Sequence, residues 1–229
     1  APGDYILFYG TSPDKITYNR LLHRFEHVQN IYSEFTYYFL NFDGGAGLRI
    51  ENQQVSQLSP TYTSTSFTES VFYEKDILNL INSGKDWVGE RMDVNSPVFE
   101  LSEFTFPHLI TGKQSWMRFR VTARASTSSS YGIKVNGSEV ASPQCGSFSE
   151  HIFACDKIDS RSFYPESDKL KVSFEYNGTG TAIGWLDWVE LNVPRELKFT
   201  GGQMQFADPV SVMNGAVTEY QLQESSADI

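Results

Sequence analysis

The chain has 229 residues, 40% hydrophobic and 14% aromatic, with a formal net charge of −10. The length suits one large β domain or two small ones, and the apolar content is enough for a core. The acidic balance excludes a nucleic-acid surface, which needs Lys and Arg to replace phosphate counterions, and no apolar run approaches the ~20 residues of a membrane-spanning helix.

The chain opens on Ala1 with neither an initiator methionine nor a signal-peptide pattern, and so reads as a processed protein or a piece of a longer one. Its 17 Phe, 12 Tyr and 4 Trp favour strands, because stiff, flat side chains fit a pleated surface. In chain order, Tyr5 to Tyr9, Lys15 to Asn19 and Arg24 to Val28 read as short strands. Thr36 to Phe42 is the strongest strand of the first quarter. Gly44 to Gly47 reverses the chain before Leu48-Arg49-Ile50, and Gln53 to Ser66 reads as a connection or an edge strand. Asp76 to Ile81 is the best helical stretch: Ile77, Leu78 and Ile81 fall at helical spacing, and Gly84 follows as a stop.

From residue 98 strands recur at the spacing of a sandwich. They are Val98 to Phe106, Ser115 to Ala125, Gly132 to Val135, Phe148 to Phe153, Lys169 to Tyr176 and Gly184 to Val193. Within them Met117, Phe119, Val121 and Ala123 share one face, as do Leu170, Val172, Phe174 and Tyr176. Asn136-Gly137 tolerates the positive φ of a tight hairpin. Thr200 to Phe206 and Val217 to Leu222 are weaker strands. The whole reads as mostly β: a jelly-roll-like β-sandwich over 83–200, a smaller N-terminal β subdomain over 1–82, and a β segment over 201–229.

Few residues suggest chemistry. Cys145 and Cys155 form a disulfide if the fold brings their Cα atoms within about 7 Å; the alternative is two reduced thiols. Cys145 and His151 could pair as nucleophile and base, but a structural role outweighs this. His23 and His27 have the i, i+4 spacing of a helical metal site, yet they lack a third ligand and sit in a strand-like context. Asp187 lies in an apolar strand, where a carboxylate needs a hydrogen bond or a cation. Arg195 and Arg118 are the expected partners, and a structural calcium ion is the alternative. Trp87, Trp116, Trp185 and Trp188 serve either as packing residues or as a sugar-stacking platform. Gly89 is expected to turn the chain with a backbone conformation that other residues resist, Trp87 to anchor that turn, and Glu90 to accept backbone or arginine hydrogen bonds.

One series of blocks carries a resemblance. Tyr5-Ile6-Leu7-Phe8-Tyr9 leads to Pro13-Asp14-Lys15, His27, Asn30, Tyr32-Ser33 and Tyr37-Tyr38-Phe39-Leu40. Ser83-Gly84-Lys85-Asp86-Trp87-Val88-Gly89-Glu90 follows. Leu186 to Asn192, Arg195-Glu196-Leu197 and Gln203-Met204-Gln205-Phe206 close it. In this order the blocks resemble the N-terminal, pre-catalytic region of gingipain-family (C25) cysteine peptidases, closest to the sortase-like member of the type IX secretion system of Bacteroidetes. The resemblance spans nearly the whole chain. It implies an extracellular or outer-membrane surface location and a caspase-like catalytic domain beyond Ile229 as partner. Secreted cargo or secretion components are further partners. It matches no catalytic position here and implies no cofactor, so the expected role is a non-catalytic accessory region in which Trp87, Gly89, Glu90, Asp187 and Arg195 are structural. A stand-alone carbohydrate-binding module is the alternative, and hydrolysis by this chain itself a third.

Overall fold

The computed structural model describes residues 8–41, 44–45, 51–52, 54, 57–82, 84, 86–200, 203–212 and 215–223. Strands β1 (Lys15–Asn19) and β2 (Arg24–Val28) form a hairpin. Next come β3 (Tyr62–Ser64), β4 (Ser66–Glu74), β5 (Arg91–Asp93) and β6 (Val98–Thr105). They are followed by β7 (Ser115–Arg124), β8 (Ser129–Val135), β9 (Ser138–Ala141) and β10 (Gln144–Cys145). β11 (Cys155–Phe163), β12 (Lys169–Asn177), β13 (Ile183–Glu196) and β14 (Thr218–Tyr220) complete the series.

Two antiparallel five-stranded sheets pack face to face. One has the order β10-β8-β12-β6, with β9 also paired to β8; the other has β11-β7-β13-β4, with β5 also paired to β13. From β5 to β13 the chain passes repeatedly from one sheet to the other, which gives the jelly-roll-like sandwich read from the sequence. Apolar alternation dictates the core. Met117, Phe119, Val121 and Ala123 of β7 face Leu170, Val172, Phe174 and Tyr176 of β12, and all eight are buried. Burying each large apolar side chain contributes about 1.5–3 kcal/mol. Tyr131 of β8 crosses this core to the other sheet. Its hydroxyl donates to Thr122 O at 2.6 Å and accepts the Trp185 N–H at 3.0 Å. Gly184 makes room for it, since a Cβ there would collide with the Tyr131 hydroxyl and lie 2.7 Å from the Tyr176 ring. Asn136 and Gly137 take φ values of 49° and 85° in the β8–β9 turn, as the dipeptide requires.

The sandwich begins earlier than residue 83. β4, inside the 1–82 stretch, pairs with β13 from Ser66↔Glu196 to Glu74↔Trp188 and forms the edge of its sheet. β5 continues along the same side of β13, from Trp185↔Arg91 to Ile183↔Asp93. Between β4 and β5 an antiparallel bridge joins Leu78 to Val88.

Three local expectations fail, because among the described residues none of these segments joins a helix or one of the sheets. Asp76 to Ile81 is not helical, and Ile77, Leu78 and Ile81 are exposed. The described residues of Thr36 to Phe42 form no strand, and Phe39 is 97% exposed. Phe148 to Phe153 is a bent connection; there Phe148 and Phe153 instead flank the Arg124 guanidinium, with ring centroids 4.4 and 4.0 Å away. Residues 203–206 likewise form no strand. Most of Tyr5 to Tyr9 and all of Leu48-Arg49-Ile50 lie outside the described residues.

Candidate functional site

The outward face of β13 and the neighbouring edge strand β4 carry a cluster of buried carboxylates and their partners. On β13 the register shifts between Leu186 and Trp188, so Asp187 is the extra residue of a bulge. Leu186 and Val189 both remain in the core, and Asp187 is only 1% exposed. Its cation is Arg120 of β7: Nη1 stands 2.9 Å from Asp187 Oδ2, while Nε donates to Asp156 Oδ1 at 2.9 Å. The expected partners are thereby corrected. Arg195 reaches Glu69 and donates from Nε to Pro107 O at 2.6 Å, and Arg118 turns to Glu190. Burial, opposed by Arg120 and reinforced by Asp156, Asp76 and Asp86, pushes the Asp187 carboxyl up to about 7. Glu74, across from Trp188, is pushed up to about 8 by burial and by the neighbouring charges of Asp187, Asp76 and Asp14.

Beside this pair the β1–β2 hairpin covers the sheet through polar contacts. Asn192 accepts the Phe25 N–H at 2.7 Å and donates to Phe25 O at 3.1 Å. Glu190, fully buried, accepts the His27 N–H at 3.1 Å and the Ser70 hydroxyl at 3.3 Å. Arg118 lies 3.5 Å from Glu190 and 3.6 Å from Glu26, with its guanidinium over Trp188. The His27 ring stacks on Phe72 at 3.6 Å and reaches Asp14 at 3.3 Å; burial holds its pKa down although Asp14 pulls it up. Glu190 and Asn192 lie within the motif blocks, but nothing in the sequence marks them as buried. Only the hairpin's placement over this face does so.

Two recesses flank β4. The first, 670 Å³, is bounded by Phe67, Phe25, Ile16, Met204 and Phe206; the second, 530 Å³, by Asp14, Glu34, Glu74, Lys75 and Asp76. Thr68 of β4 faces Pro194, which has no N–H to offer, and turns its own amide outward to Ala207 O at 3.4 Å. By the two-residue period of a strand, the amides and carbonyls of Ser70, Phe72 and Glu74 point the same way. Among the described residues no backbone bond meets them on that side.

The remaining sequence candidates do not converge. Cys145 and Cys155 are joined by a disulfide, with Cα atoms 5.6 Å apart. Cys145 therefore offers no free thiolate to His151, which is exposed. His23 occupies a turn at φ 50° and its Nδ1 lies 3.2 Å from the Tyr18 hydroxyl, whereas His27 points to the sheet. Among the described residues no three His, Cys, Asp or Glu side chains are placed to hold a metal ion. Trp185 is buried, while Trp116 and Trp188 lie under Arg24 and Arg118; Trp87 alone of the four is exposed, at 39%, and so does not pin its turn from within. Gly89 has no positive φ. It is needed because a Cβ would fall 2.8 Å from Lys75 O and 2.9 Å from Leu186 O, where the chain returns to the β13 edge. Glu90 accepts from the Tyr73 hydroxyl and pairs with Lys75 at 3.4 Å rather than with an arginine.

No family model and no curated protein matches the sequence. Among solved structures, the chain is similar to dimeric latent PorU from Porphyromonas gingivalis, with a TM-score of 0.81 and 21% identity over 95% of this chain and 21% of that one. The chain thus spans about a fifth of the length of the structure it matches, and the likeness shows the fold. A CBM36-1 domain of a multidomain xylanase from the hindgut metagenome of Trinervitermes trinervoides aligns over 59% of this chain and all of its own, at 9% identity and a TM-score of 0.37. That score supports no inference here.

Proposed function

We propose that the chain is the non-catalytic N-terminal region of a secreted, gingipain-like or sortase-like cysteine peptidase of the extracellular or outer-membrane surface. It supports and positions a catalytic domain that follows it in the parent polypeptide and contacts secreted cargo or secretion components. The observation that carries this reading is the fold likeness to PorU along 95% of the chain. The state of Cys145 supports it: a sulfur held in a disulfide and buried is not poised as a nucleophile. The glycan-binding alternative draws less support, because three of the four tryptophans are buried or taken by arginines.

The test is a peptide-hydrolysis assay on this chain, with Cys145→Ala as control, beside the full parent and the parent lacking this region. The proposal expects background rates from the chain and its variant, activity from the parent, and loss of activity or of soluble protein from the shortened parent. Hydrolysis by the chain that Cys145→Ala abolishes would overturn it, as would a shortened parent as soluble and active as the whole.

A further inference from the structure

The edge of β4 is the place in the described molecule where backbone hydrogen-bonding groups and shaped recesses coincide. An edge strand with open amides and carbonyls is a template for another strand, and folded proteins usually shorten, twist or cover such edges. Here β4 is nine residues long, and among the described residues its outward backbone is met by Ala207 O at Thr68 and by the Ser64 hydroxyl at Ser66 O, both at its N-terminal end. The two recesses lie at opposite ends of this edge. From Thr68 to Glu74 is roughly 20 Å at the rise of an extended chain.

The ends differ in chemistry. The Thr68 end is mixed, with the aromatic rings of Phe67, Phe25 and Phe206 beside Thr68, Glu69 and Ser70, and it gathers no cluster of carboxylates. The Glu74 end gathers four carboxylates, Asp14, Glu34, Glu74 and Asp76, against Lys75, which is already engaged by Glu90 and lies over the Tyr73 ring. Glu74 and Asp76 both hold their protons more tightly than free carboxyls, because burial and their like-charged neighbours disfavour ionisation. A cation placed between them would relieve that repulsion.

We propose that the groove along the free edge of β4 binds an extended segment of another polypeptide, which adds a strand to the sheet, sets an apolar side chain over Phe67 and Phe206, and places a lysine or arginine beside Glu74 and Asp76. Main-chain hydrogen bonds to Ser70, Phe72 and Glu74 supply sequence-independent affinity, and the two recesses supply selectivity. The inference stands apart from the accessory-region reading, since it needs only this chain.

The test is fluorescence polarisation on the 229-residue chain with a labelled octapeptide of alternating valine and threonine ending in two lysines. Two further probes control it: the same peptide ending in two glutamates, and the lysine peptide N-methylated at alternate amides. The lysine peptide is expected to bind at least about tenfold more tightly than the glutamate peptide, and the N-methylated peptide not to bind. In Glu74→Gln/Asp76→Asn the preference for lysine should fall below about threefold while the main-chain contribution survives. This variant removes charges that disfavour the fold and so remains folded. Equal binding of the two charged peptides, retained binding after N-methylation, or no binding by the folded chain would each overturn the proposal. So would a concentration-dependent dimer that excludes the peptide, which would assign the edge to a second copy.

Discussion

Asn192 clasps the backbone of Phe25, its side-chain amide accepting that residue's N–H at 2.7 Å and donating to its carbonyl at 3.1 Å. A side chain of the sandwich thus imitates a neighbouring strand and holds the β1–β2 hairpin in place. Asn192→Leu leaves both Phe25 groups and the Glu190 carboxylate short of partners, at about 1–3 kcal/mol each where they stay buried. The hairpin is expected to lift locally instead. Amide hydrogen exchange at Phe25 and His27 should accelerate at least about tenfold while β7 and β12 keep their protection. Unchanged exchange at Phe25 would show that the clasp does not hold the hairpin.

Gly89 sits where the loop after β4 rejoins the edge of β13, against two backbone oxygens that cannot step aside. Gly89→Ala should therefore destabilise by about 1–3 kcal/mol through overpacking. For a chain of this size that lowers the melting temperature by roughly 2–4 °C per kcal/mol. Calorimetry on the variant checks this, and a melting temperature equal to that of the parent sequence would contradict the assigned role.

Arg120 is the cation beside the buried Asp187. Arg120→Met should cost about 2–4 kcal/mol, somewhat below a fully buried pair because the guanidinium keeps some contact with water. Asp187→Asn added to Arg120→Met should recover most of the loss. Urea titrations of the two variants measure it, and equal losses in single and double variants would rule out the pairing as the cause. The single variant's loss should also be smaller at pH 5, where the carboxyl is protonated with or without Arg120, than at pH 9, where the orphaned carboxyl is driven to ionise.

The pH dependence has a definite sign. Glu74 and Asp187 titrate near 8 and 7 in the fold, above their ordinary values of 4.5 and 3.8, so between those limits the folded state binds more protons than the unfolded one. Their contribution is full below about pH 4 and is lost as pH rises through 7 and 8, on the order of a few kcal/mol at most. His27 opposes this below its ordinary 6.5, because burial disfavours its charged form. Urea midpoints should therefore fall from pH 6.5 to pH 8.5, and Glu74→Gln should flatten the slope. A midpoint that rises over that interval would contradict these environments.

The core strands were legible because alternation needs only one strand: Met117 to Ala123 and Leu170 to Tyr176 announce their buried faces. β11 was not, since Cys155 to Phe163 is a polar edge with little to bury. The runs at 36–41 and 76–81 carried suggestive spacing, but among the described residues they join no extended sheet or helix, and most of their apolar side chains stay exposed. Asp187 was legible as a buried carboxylate, yet its partner was not, because a bulge reveals itself only against the opposite strand. The clasp at Asn192 and the open edge of β4 depend on the order of strands in a sheet, which no single segment encodes. Gly89 was read as a turn glycine, whereas the structure gives it no positive φ and sets it against two carbonyls, a close approach that its own segment does not encode.

The proposed role as an accessory region is tested most directly by the reading frame through and past the Ile229 codon. That frame is expected to continue into a caspase-like domain carrying a Cys–His pair. A stop codon directly after Ile229, or a following domain without that pair, would contradict it.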